Sequence, residues 1–325
     1  MSRIVITGAR GYIGSALAKK LASEGYGLRL VSRFPPAQSY TATDAKVEYV
    51  QADLQEEESW RALLDGADAV VHLSARTDLC AADDDPASDR VLNVEPVRAL
   101  VKAAEVSRSP MPVIFASSVM ALGNTHENPF NEKTPDHPSC VYGRHKLECE
   151  RMLRGATQRG LIKACSLRLS TVYGYGIHAM NPNSGVINMM IRRAIDGRPL
   201  TLYGDGSYTR DFIHIDDVCD AFHMAIAMPH VCDGHHYVIA TGRGYTIAES
   251  FRYVAQEAYR TTSRVVEIHH VPEPPDLHPI QRCNFVGDSR LFQELTGWRP
   301  QVDLECGIRG YFQRLLTDSQ RSRYG

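Results

Sequence analysis

Hydrophobic and polar positions divide the first half of the chain into short apolar runs and longer segments with helical periodicity. The apolar runs predict strands at residues 4–7, 28–32, 47–51, 69–73, 113–116 and 164–169. The segments between them predict helices at residues 11–24, 59–64, 90–107 and 141–158. Because strands that alternate with helices form parallel sheets through right-handed crossovers, we expect an α/β fold with a doubly wound parallel sheet of the Rossmann type.

The second half of the chain has a more irregular pattern. Turn residues are dense at residues 181–185 and 203–207, and a proline-rich stretch follows at 271–275. This change predicts a second, smaller C-terminal α/β domain that binds substrate. The expected division is a dinucleotide-binding domain at 1–175, to which 213–242 returns, and a substrate domain at 176–212 and 243–325.

Composition and charge restrict the class of function. The chain has 325 residues with 36 basic and 38 acidic side chains, and its net charge of −2 gives no basic field for nucleic acid or anionic membranes. No apolar run reaches the ~20 residues that span a bilayer, and no signal-peptide pattern opens the chain. The eight cysteines form no CxxC pair and the histidine pairs lack i,i+4 spacing, so we expect neither a disulfide scaffold nor a metal site. These features predict a cytoplasmic enzyme or nucleotide-binding protein.

A glycine-rich turn follows the first predicted strand. Gly8, Gly11 and Gly14 have the spacing GxxGxxG, enclose Tyr12 and Ile13, and open the first predicted helix. The first glycine permits a tight turn, the second lets backbone amides approach a pyrophosphate, and the third lets helix and strand pack closely. The motif therefore predicts a dinucleotide cofactor at the N-terminus of this helix.

The end of the second predicted strand bears on the identity of the cofactor. An acid at this place binds the ribose 2′-hydroxyl of NAD, whereas this chain has Ser32 and Arg33. A hydroxyl and a guanidinium can accept a 2′-phosphate, and Arg10 in the glycine turn can reach the same group. We predict NADP(H), with NAD as the alternative; solvated surface arginines are the other interpretation. Asp53, after the third strand, is a candidate partner for the adenine amino group.

A candidate catalytic set follows in the middle of the chain. Tyr142 and Lys146 are four residues apart and share one face of a predicted helix. A neighbouring ammonium favours the phenolate and is expected to lower the pKa of the tyrosine toward neutrality. Ser117 and Ser118 end a predicted strand, where the Ser118 hydroxyl can bond a substrate carbonyl or alcohol. The order of glycine turn, strand-end serine and YxxxK predicts hydride-transfer chemistry.

Taken together, these motifs resemble the extended short-chain dehydrogenases/reductases of the NAD-dependent epimerase/dehydratase family, whose members act on nucleotide sugars. The resemblance covers nearly the whole chain, and its most specific stretch is residues 203–218. It implies cofactor contacts at Gly8, Arg10, Gly11, Tyr12, Ile13, Gly14, Ser32, Arg33, Asp53, Leu54, Leu73, Ser74, Ala75, Asn93, Ser117, Tyr142, Lys146 and Leu169. It implies substrate contacts at Ser118, Thr171, Val186, Thr201, Tyr203, Arg210 and Arg282. By this resemblance Arg210 and Arg282 flank a nucleotide diphosphate, and Tyr203 holds the base.

Departures from the family pattern separate the candidate reactions. Val119 and Met120 stand where sugar 4,6-dehydratases have an Asp-Glu pair, and neither can act as acid or base in an elimination. Arg10 and Arg33, with no acid at position 32, favour an enzyme that exchanges NADPH. The leading hypothesis is NADPH-dependent reduction of the 4-keto group of a nucleotide-linked deoxyhexose, with dTDP as the expected nucleotide. The alternative is a nucleotide-sugar 4-epimerase with tightly bound NAD(P); a 4,6-dehydratase and a non-catalytic NADP sensor have less support.

The resemblance also bears on binding partners. It implies a nucleotide-sugar substrate and a homodimer in which two helices of each subunit form a four-helix interface. The candidate helices are those at residues 90–107 and 141–158, whose apolar positions are equally compatible with an ordinary core. No nucleic-acid or membrane partner is expected.

Overall fold

The computed structural model describes residues 2–34, 46–106, 109–125, 127–176, 185–275 and 277–324, with side chains up to residue 317. Its strands are β1 Arg3–Thr7, β2 Gly27–Ser32, β3 Val47–Gln51, β4 Ala69–His72, β5 Met111–Ser118, β6 Ile162–Leu169, β7 Thr171–Tyr173, β8 Leu200–Tyr203, β9 Thr209–His214, β10 His236–Ile239, β11 Gly244–Thr246 and β12 Ile268–Val271. Its α-helices are α1 Tyr12–Ser23, α2 Glu57–Leu64, α3 Leu79–Asp84, α4 Pro86–Asn93, α5 Glu95–Ala104, α6 Val141–Gln158, α7 Val186–Ile195, α8 Ile215–Ala227, α9 Ile247–Thr262, α10 Arg290–Thr296 and α11 Leu304–Tyr324. Short 3-10 turns lie at Val119–Ala121, Pro229–Val231 and Pro279–Arg282.

A parallel sheet forms the centre of the described structure. Its strands lie in the order β10-β6-β5-β4-β1-β2-β3, and each neighbouring pair is parallel. The central strands are continuous apolar runs because helices cover both faces, and Val5, Ile6, Val70 and Val71 are fully buried. The chain runs outward from β1 to β2 and β3 and then crosses to β4 on the other side of β1, and this reversal of direction opens a crevice at the carboxyl ends of the strands. The expected α/β fold with a doubly wound parallel sheet is confirmed.

Helices cover the two faces of this sheet. α1 and α8 bury Leu17, Leu21 and Phe222 against one face. α2 and α5 bury Trp60 and Leu100 against the other, where α6 also packs. Since α6 lies beside β5 and β6, its first turn comes to the carboxyl edge of the sheet.

The helix expected at residues 90–107 is interrupted. α4 ends at Asn93, Val94 forms the junction, and α5 begins at Glu95 with Pro96 in its first turn. Proline has no backbone N–H to continue the hydrogen bonding of α4, so a second helix starts there. Residue 107 lies outside the described residues. The other three predicted helices correspond to α1, α2 and α6.

The remaining elements form a smaller layered unit beside the main sheet. β7, β9 and β11 form one small sheet, and β8 pairs with β12 in parallel. α7, α9 and α11 pack around a core that contains Ile191, Phe251 and Phe312. The turn expected at residues 181–184 lies outside the described residues, after which Gly185 precedes α7. No helix in the described ranges has both the length and the apolar character needed to cross a membrane.

Candidate active site

The turn after β1 brings the backbone close to the end of β4 and to the start of α1. Gly8 has a φ of +65°, and a Cβ there would lie 2.8 Å from the backbone nitrogen of Ser74. A Cβ on Gly14 would lie 2.2 Å from the carbonyl oxygen of Gly8, so any larger residue would collide with this turn. Gly11 caps α1 without a side chain, which leaves the first N–H groups of the helix to donate to a phosphate. The cradle fits the pyrophosphate of a dinucleotide.

A cavity of about 800 Å³ extends from this turn along the carboxyl edge of the sheet. Nine of the expected cofactor residues line it: Gly8, Gly11, Tyr12, Ile13, Gly14, Leu73, Ala75, Tyr142 and Leu169. Ser118 and Tyr142 line the same cavity, at its end away from the second strand. The glycine turn and two of the candidate catalytic residues therefore share one groove.

A smaller cavity of about 170 Å³ lies beside the glycine turn. Eight expected cofactor residues line it in addition to Gly8 and Gly11: Arg10, Ser32, Arg33, Asp53, Leu54, Leu73, Ser74 and Ala75. The Ser32 hydroxyl donates to the carbonyl oxygen of Phe34 at 2.5 Å, and the backbone carbonyl of Arg33 accepts from the Gln51 amide at 3.1 Å. The three polar residues proposed to bind a 2′-phosphate thus line one pocket.

Two residues expected to contact the cofactor lie behind the wall of the groove instead. The buried Asn93 amide accepts from the backbone N–H of Arg76 at 2.8 Å and donates to its carbonyl at 3.0 Å. The Ser117 hydroxyl is buried and donates to a Glu150 carboxylate oxygen at 2.5 Å. Successive side chains of a strand point to opposite faces, so Ser117 cannot face the groove while Ser118 does. Asn93 instead holds the loop after β4 in place.

The candidate catalytic side chains converge where β5 and α6 meet. Ser118 ends β5, Tyr142 lies in the first turn of α6, and Lys146 follows one turn later. The buried Lys146 ammonium donates to the carbonyl oxygen of Ala116 at 2.7 Å and lies 5.6 Å from the centre of the Tyr142 ring. A Cβ on Gly143 would lie 2.2 Å from the carbonyl oxygen of Met120, so a glycine lets α6 approach the segment after Ser118.

Burial dominates the electrostatics of this set. It raises the pKa of the Tyr142 phenol above its ordinary value; the nearby Cys140 and Asp89 act in the same direction, and a hydrogen bond with Ser118 opposes them. Burial also lowers the pKa of Lys146 from 10.5 to about 8. The pKa of Tyr142 is therefore raised and not lowered as expected from the sequence, because loss of water around the phenol disfavours the phenolate.

A second cavity of about 650 Å³ lies between the main sheet and the smaller unit. Five of the expected substrate residues line it: Thr171, Val186, Thr201, Tyr203 and Arg210. The Arg210 guanidinium donates to the backbone carbonyls of Gln281, at 2.5 Å, and of Cys283. It also lies 5.5 Å from the centre of the Phe285 ring. Burial lowers the pKa of the Arg210 guanidinium, because loss of water disfavours its charged form.

Arg282 does not join Arg210 in this cavity. Its Nε donates to a Glu273 carboxylate oxygen at 2.9 Å, and its guanidinium donates to the carbonyl oxygen of Leu277 at 3.2 Å. Glu273 also accepts from the Tyr208 hydroxyl at 2.8 Å. The structure thus differs from the expected pair of arginines on one diphosphate, because a local acidic partner holds the second guanidinium.

Sequence reasoning missed a basic residue in the substrate cavity. Arg193, in the last turn of α7, lines the cavity and donates to the carbonyl oxygen of Pro199 at 3.0 Å. Its guanidinium is also within 3.5 Å of the Thr201 hydroxyl. The local sequence pattern does not distinguish Arg193 from the adjacent Arg192. Arg193 is identified by its contact with Thr201 of β8, which packs against α7.

Comparisons with known proteins agree with this geometry. The sequence profile of the NAD dependent epimerase/dehydratase family matches residues 4–240. Among curated relatives, the UDP-glucose 4-epimerase of Mycolicibacterium smegmatis is 27% identical, over 98% of this chain and 100% of the relative.

Solved structures share the fold over nearly the whole chain. A UDP-glucose 4-epimerase of Thermotoga maritima, solved with UDP-glucose, has a TM-score of 0.85 and 24% identity, covering 98% of this chain and 99% of that one. A UDP-glucuronic acid 4-epimerase of Bacillus cereus, solved with UDP-glucuronic acid and NAD, has a TM-score of 0.82 and 21% identity, covering 97% and 99%. Because the family profile spans most of the sequence and the fold agrees throughout, the chain belongs to the NAD-dependent epimerase/dehydratase family of extended short-chain dehydrogenases/reductases.

Proposed function

We propose that the protein is a nucleotide-sugar 4-epimerase that keeps its nicotinamide cofactor bound through the catalytic cycle. The observation that carries the proposal is that the two large cavities share walls beside Tyr142: Thr77, Thr171 and Arg210 border both. A dinucleotide in one cavity and a nucleotide sugar in the other would bring the nicotinamide and the sugar together next to Ser118.

The relatives favour epimerisation over the net 4-keto reduction expected from the sequence. The curated relative described above, which covers 98% of this chain, is named as an epimerase, and so are both solved structures. A 4,6-dehydratase has less support, since Val119 and Met120 line the groove beside Ser118 and offer no acid or base. Epimerisation needs only one proton-transferring group and one hydride acceptor, which this site can supply.

The residues of the chain have separable parts in such a reaction. A nicotinamide cofactor held in the groove would supply reversible hydride transfer at C4 of the sugar. Tyr142 would take the proton of the C4 hydroxyl and give it back after the 4-keto sugar has rotated. Lys146 would favour the phenolate from within the protein, and Ser118 would hold the substrate oxygen.

For the cofactor we propose NADP(H). Support comes from the pocket that contains Arg10, Ser32 and Arg33 at the end of β2. A carboxylate at the end of β2 would repel a 2′-phosphate, whereas guanidinium groups form charge-assisted hydrogen bonds with it. NAD, which the Bacillus cereus relative holds, is the alternative. Dissociation constants for both cofactors decide the question, and tighter binding of NAD would overturn the proposal.

A net 4-ketoreductase is the second candidate, and the same arginines favour it. Reductases exchange NADPH in every cycle, whereas an epimerase regenerates its cofactor and needs none added. Mass spectrometry of cofactor carried through purification, together with consumption of added NADPH, distinguishes the two.

The proposal is tested by incubating the purified protein with UDP-linked and dTDP-linked hexoses without added cofactor. We expect inversion at C4, detected by NMR, and a loss of turnover of about 10²–10⁴-fold in Tyr142→Phe with cofactor binding retained. Absence of inversion, together with stoichiometric NADPH oxidation by 4-keto sugars, would establish the reductase instead.

We also propose a homodimer through α5 and α6. Arg90, in the last turn of α4, forms a bidentate pair with Glu148 of α6 at 2.6 and 2.7 Å, and α5 packs against α6 as well. A solution mass of twice 36.2 kDa is expected at micromolar concentration, and a single-chain mass would contradict the proposal.

A further inference from the structure

One residue of the acidic run at 83–85 contacts two other segments that line the site. Asp83 lies in α3, and its side chain remains about one-third exposed. One carboxylate oxygen accepts from the backbone N–H of Val141 at 2.8 Å, and the other lies 2.7 Å from Nε2 of His278. The three residues belong to three separate segments, and each of these segments contributes to the walls of the site.

The hydrogen bonds of His278 fix its tautomer. Its Nδ1 accepts from the backbone N–H of Ile280 at 3.1 Å, so this nitrogen carries no proton. Nε2 then carries the proton and donates to Asp83. The side chain is about nine-tenths buried, and both of its nitrogens have partners. The ring therefore connects α3 to the 3-10 turn at Pro279–Arg282.

That turn belongs to the substrate cavity. Gln281 and Leu277 line it, and so do Leu79 and Cys80 of α3. The carbonyl oxygen of Gln281 accepts from the Arg210 guanidinium. The segment at residues 277–283 thus connects His278 at one end to the candidate phosphate-binding arginine at the other.

The second contact of Asp83 reaches the catalytic helix. We call this hydrogen bond from the Val141 N–H the Val141 arm, and the contact with His278 the His278 arm. Val141 is the first residue of α6 and directly precedes Tyr142. A carboxylate that accepts from the first turn satisfies a free N–H and interacts favourably with the positive end of the helix. Asp83 thereby fixes the turn that carries the proposed proton donor.

From these contacts we infer that Asp83 and His278 are positioning residues that hold the nucleotide-binding segment 277–283 in register with Tyr142. The inference rests on the proposed function for the identity of the ligand. Asp83 acts through Val141 on the catalytic tyrosine, and through His278 on the segment that contacts Arg210. Neither side chain is assigned a contact with the reacting atoms.

Substitutions can cut the two arms separately. Asp83→Asn keeps an oxygen for the Val141 N–H but turns an amide toward the Nε2 proton, so it removes the His278 arm. Asp83→Ala removes both arms. His278→Asn keeps an acceptor for Ile280 and cannot reach Asp83, whereas His278→Gln places an amide donor near the Nε2 position. Asp84→Asn, at the exposed neighbour, is the matched control.

Binding of UDP and of dTDP, measured by calorimetry, reads out the His278 arm without requiring turnover. We expect Asp83→Asn and His278→Asn each to weaken binding about five- to tenfold. The double variant should lose no more than either single one. His278→Gln and Asp84→Asn should stay near the wild type. Additive losses in the double variant, unchanged binding in both single variants, or a Gln variant as weak as the Asn variant would overturn the inference.

Turnover reads out the Val141 arm. Asp83→Ala should lower kcat several-fold below Asp83→Asn, since only the alanine variant frees the first turn of α6; equal kcat values would contradict this arm. If Asp83→Ala does not fold, the paired His278 variants still decide the inference. Failure of the wild-type protein to bind either nucleotide would instead overturn the proposed function.

Discussion

The two cavities of the site are built in different ways. The cofactor groove is made largely of backbone: a glycine turn, a helix N-terminus and the ends of adjacent parallel strands. The substrate cavity is made of side chains from α7, β8, the loop after β4 and the segment at residues 277–283. The first depends on a short contiguous motif and the second on long-range packing. Substitutions in the cofactor groove should therefore have large effects on cofactor affinity or turnover, whereas substitutions in the substrate cavity should weaken nucleotide binding by smaller amounts.

The largest effect is expected from a single methyl group in the groove. Gly14→Ala places a Cβ 2.2 Å from the carbonyl oxygen of Gly8, so the turn must move and cofactor affinity should fall by more than about 100-fold. Cofactor titration monitored by fluorescence measures this loss. The matched control is Gly310→Ala in α11, where a Cβ meets no atom within 4 Å; it should leave affinity unchanged.

Lys146→Met should separate stability from function. The pKa of Lys146 is lowered from 10.5 to about 8, so between these pH values the unfolded chain binds a proton that the folded chain lacks. Stability from this group therefore rises with pH across that window and is lowest below pH 8. The methionine variant should lose turnover about 10²-fold or more. It should also gain up to about 3 kcal/mol of unfolding free energy at pH 7.

Denaturant unfolding at several pH values tests the stability half of this prediction. The difference between wild type and variant should shrink as the pH rises from 8 toward 10.5. A difference that does not change with pH would mean that the lysine is not desolvated as the structure indicates.

The pocket at the end of β2 should show an intermediate effect. Arg33→Ala should weaken NADP binding about 10- to 100-fold through loss of a charge-assisted contact with the 2′-phosphate. Binding of NAD serves as the internal control and should change little. An equal loss of affinity for NADP and NAD would show that Arg33 makes no specific contact with the 2′-phosphate.

The smallest effect is expected in the substrate cavity. Arg193→Ala should weaken UDP or dTDP binding about fivefold, because one guanidinium among several groups is lost. Arg198→Ala is the control, since Arg198 is exposed and pairs with Asp196 at 2.7 Å. If Arg193 and Arg198 variants bind equally well, the inward-facing arginine has no part in nucleotide binding.

The same contrast explains what could be predicted from the sequence. Gly8, Gly14, Ser118 and Tyr142 were identifiable because each belongs to a motif whose spacing follows from one turn, one strand end or one helix face. Ser117 and Ser118 could not be separated from the sequence, because neighbouring positions in a strand differ only in the face they occupy.

Long-range partners could not be predicted in this way. Arg282 is held by Glu273, and the family resemblance carried no sign of that local partner. Asp83 and His278 are 195 residues apart and meet only through the packing of the smaller unit on the sheet. A single sequence does not show which carboxylate of the acidic run at residues 83–85 has a distant partner, because a contact between remote segments has no local pattern.

The most direct test of the account follows a deuterium label placed at C4 of the nucleotide sugar. If the protein is a 4-epimerase with a retained cofactor, it inverts C4 without added cofactor, and the product retains the deuterium at that carbon. Retention requires that the hydride taken from C4 stay on one bound cofactor until it returns to C4. Loss of the label to solvent, or inversion that depends on added NADPH, would contradict a 4-epimerase with a retained cofactor.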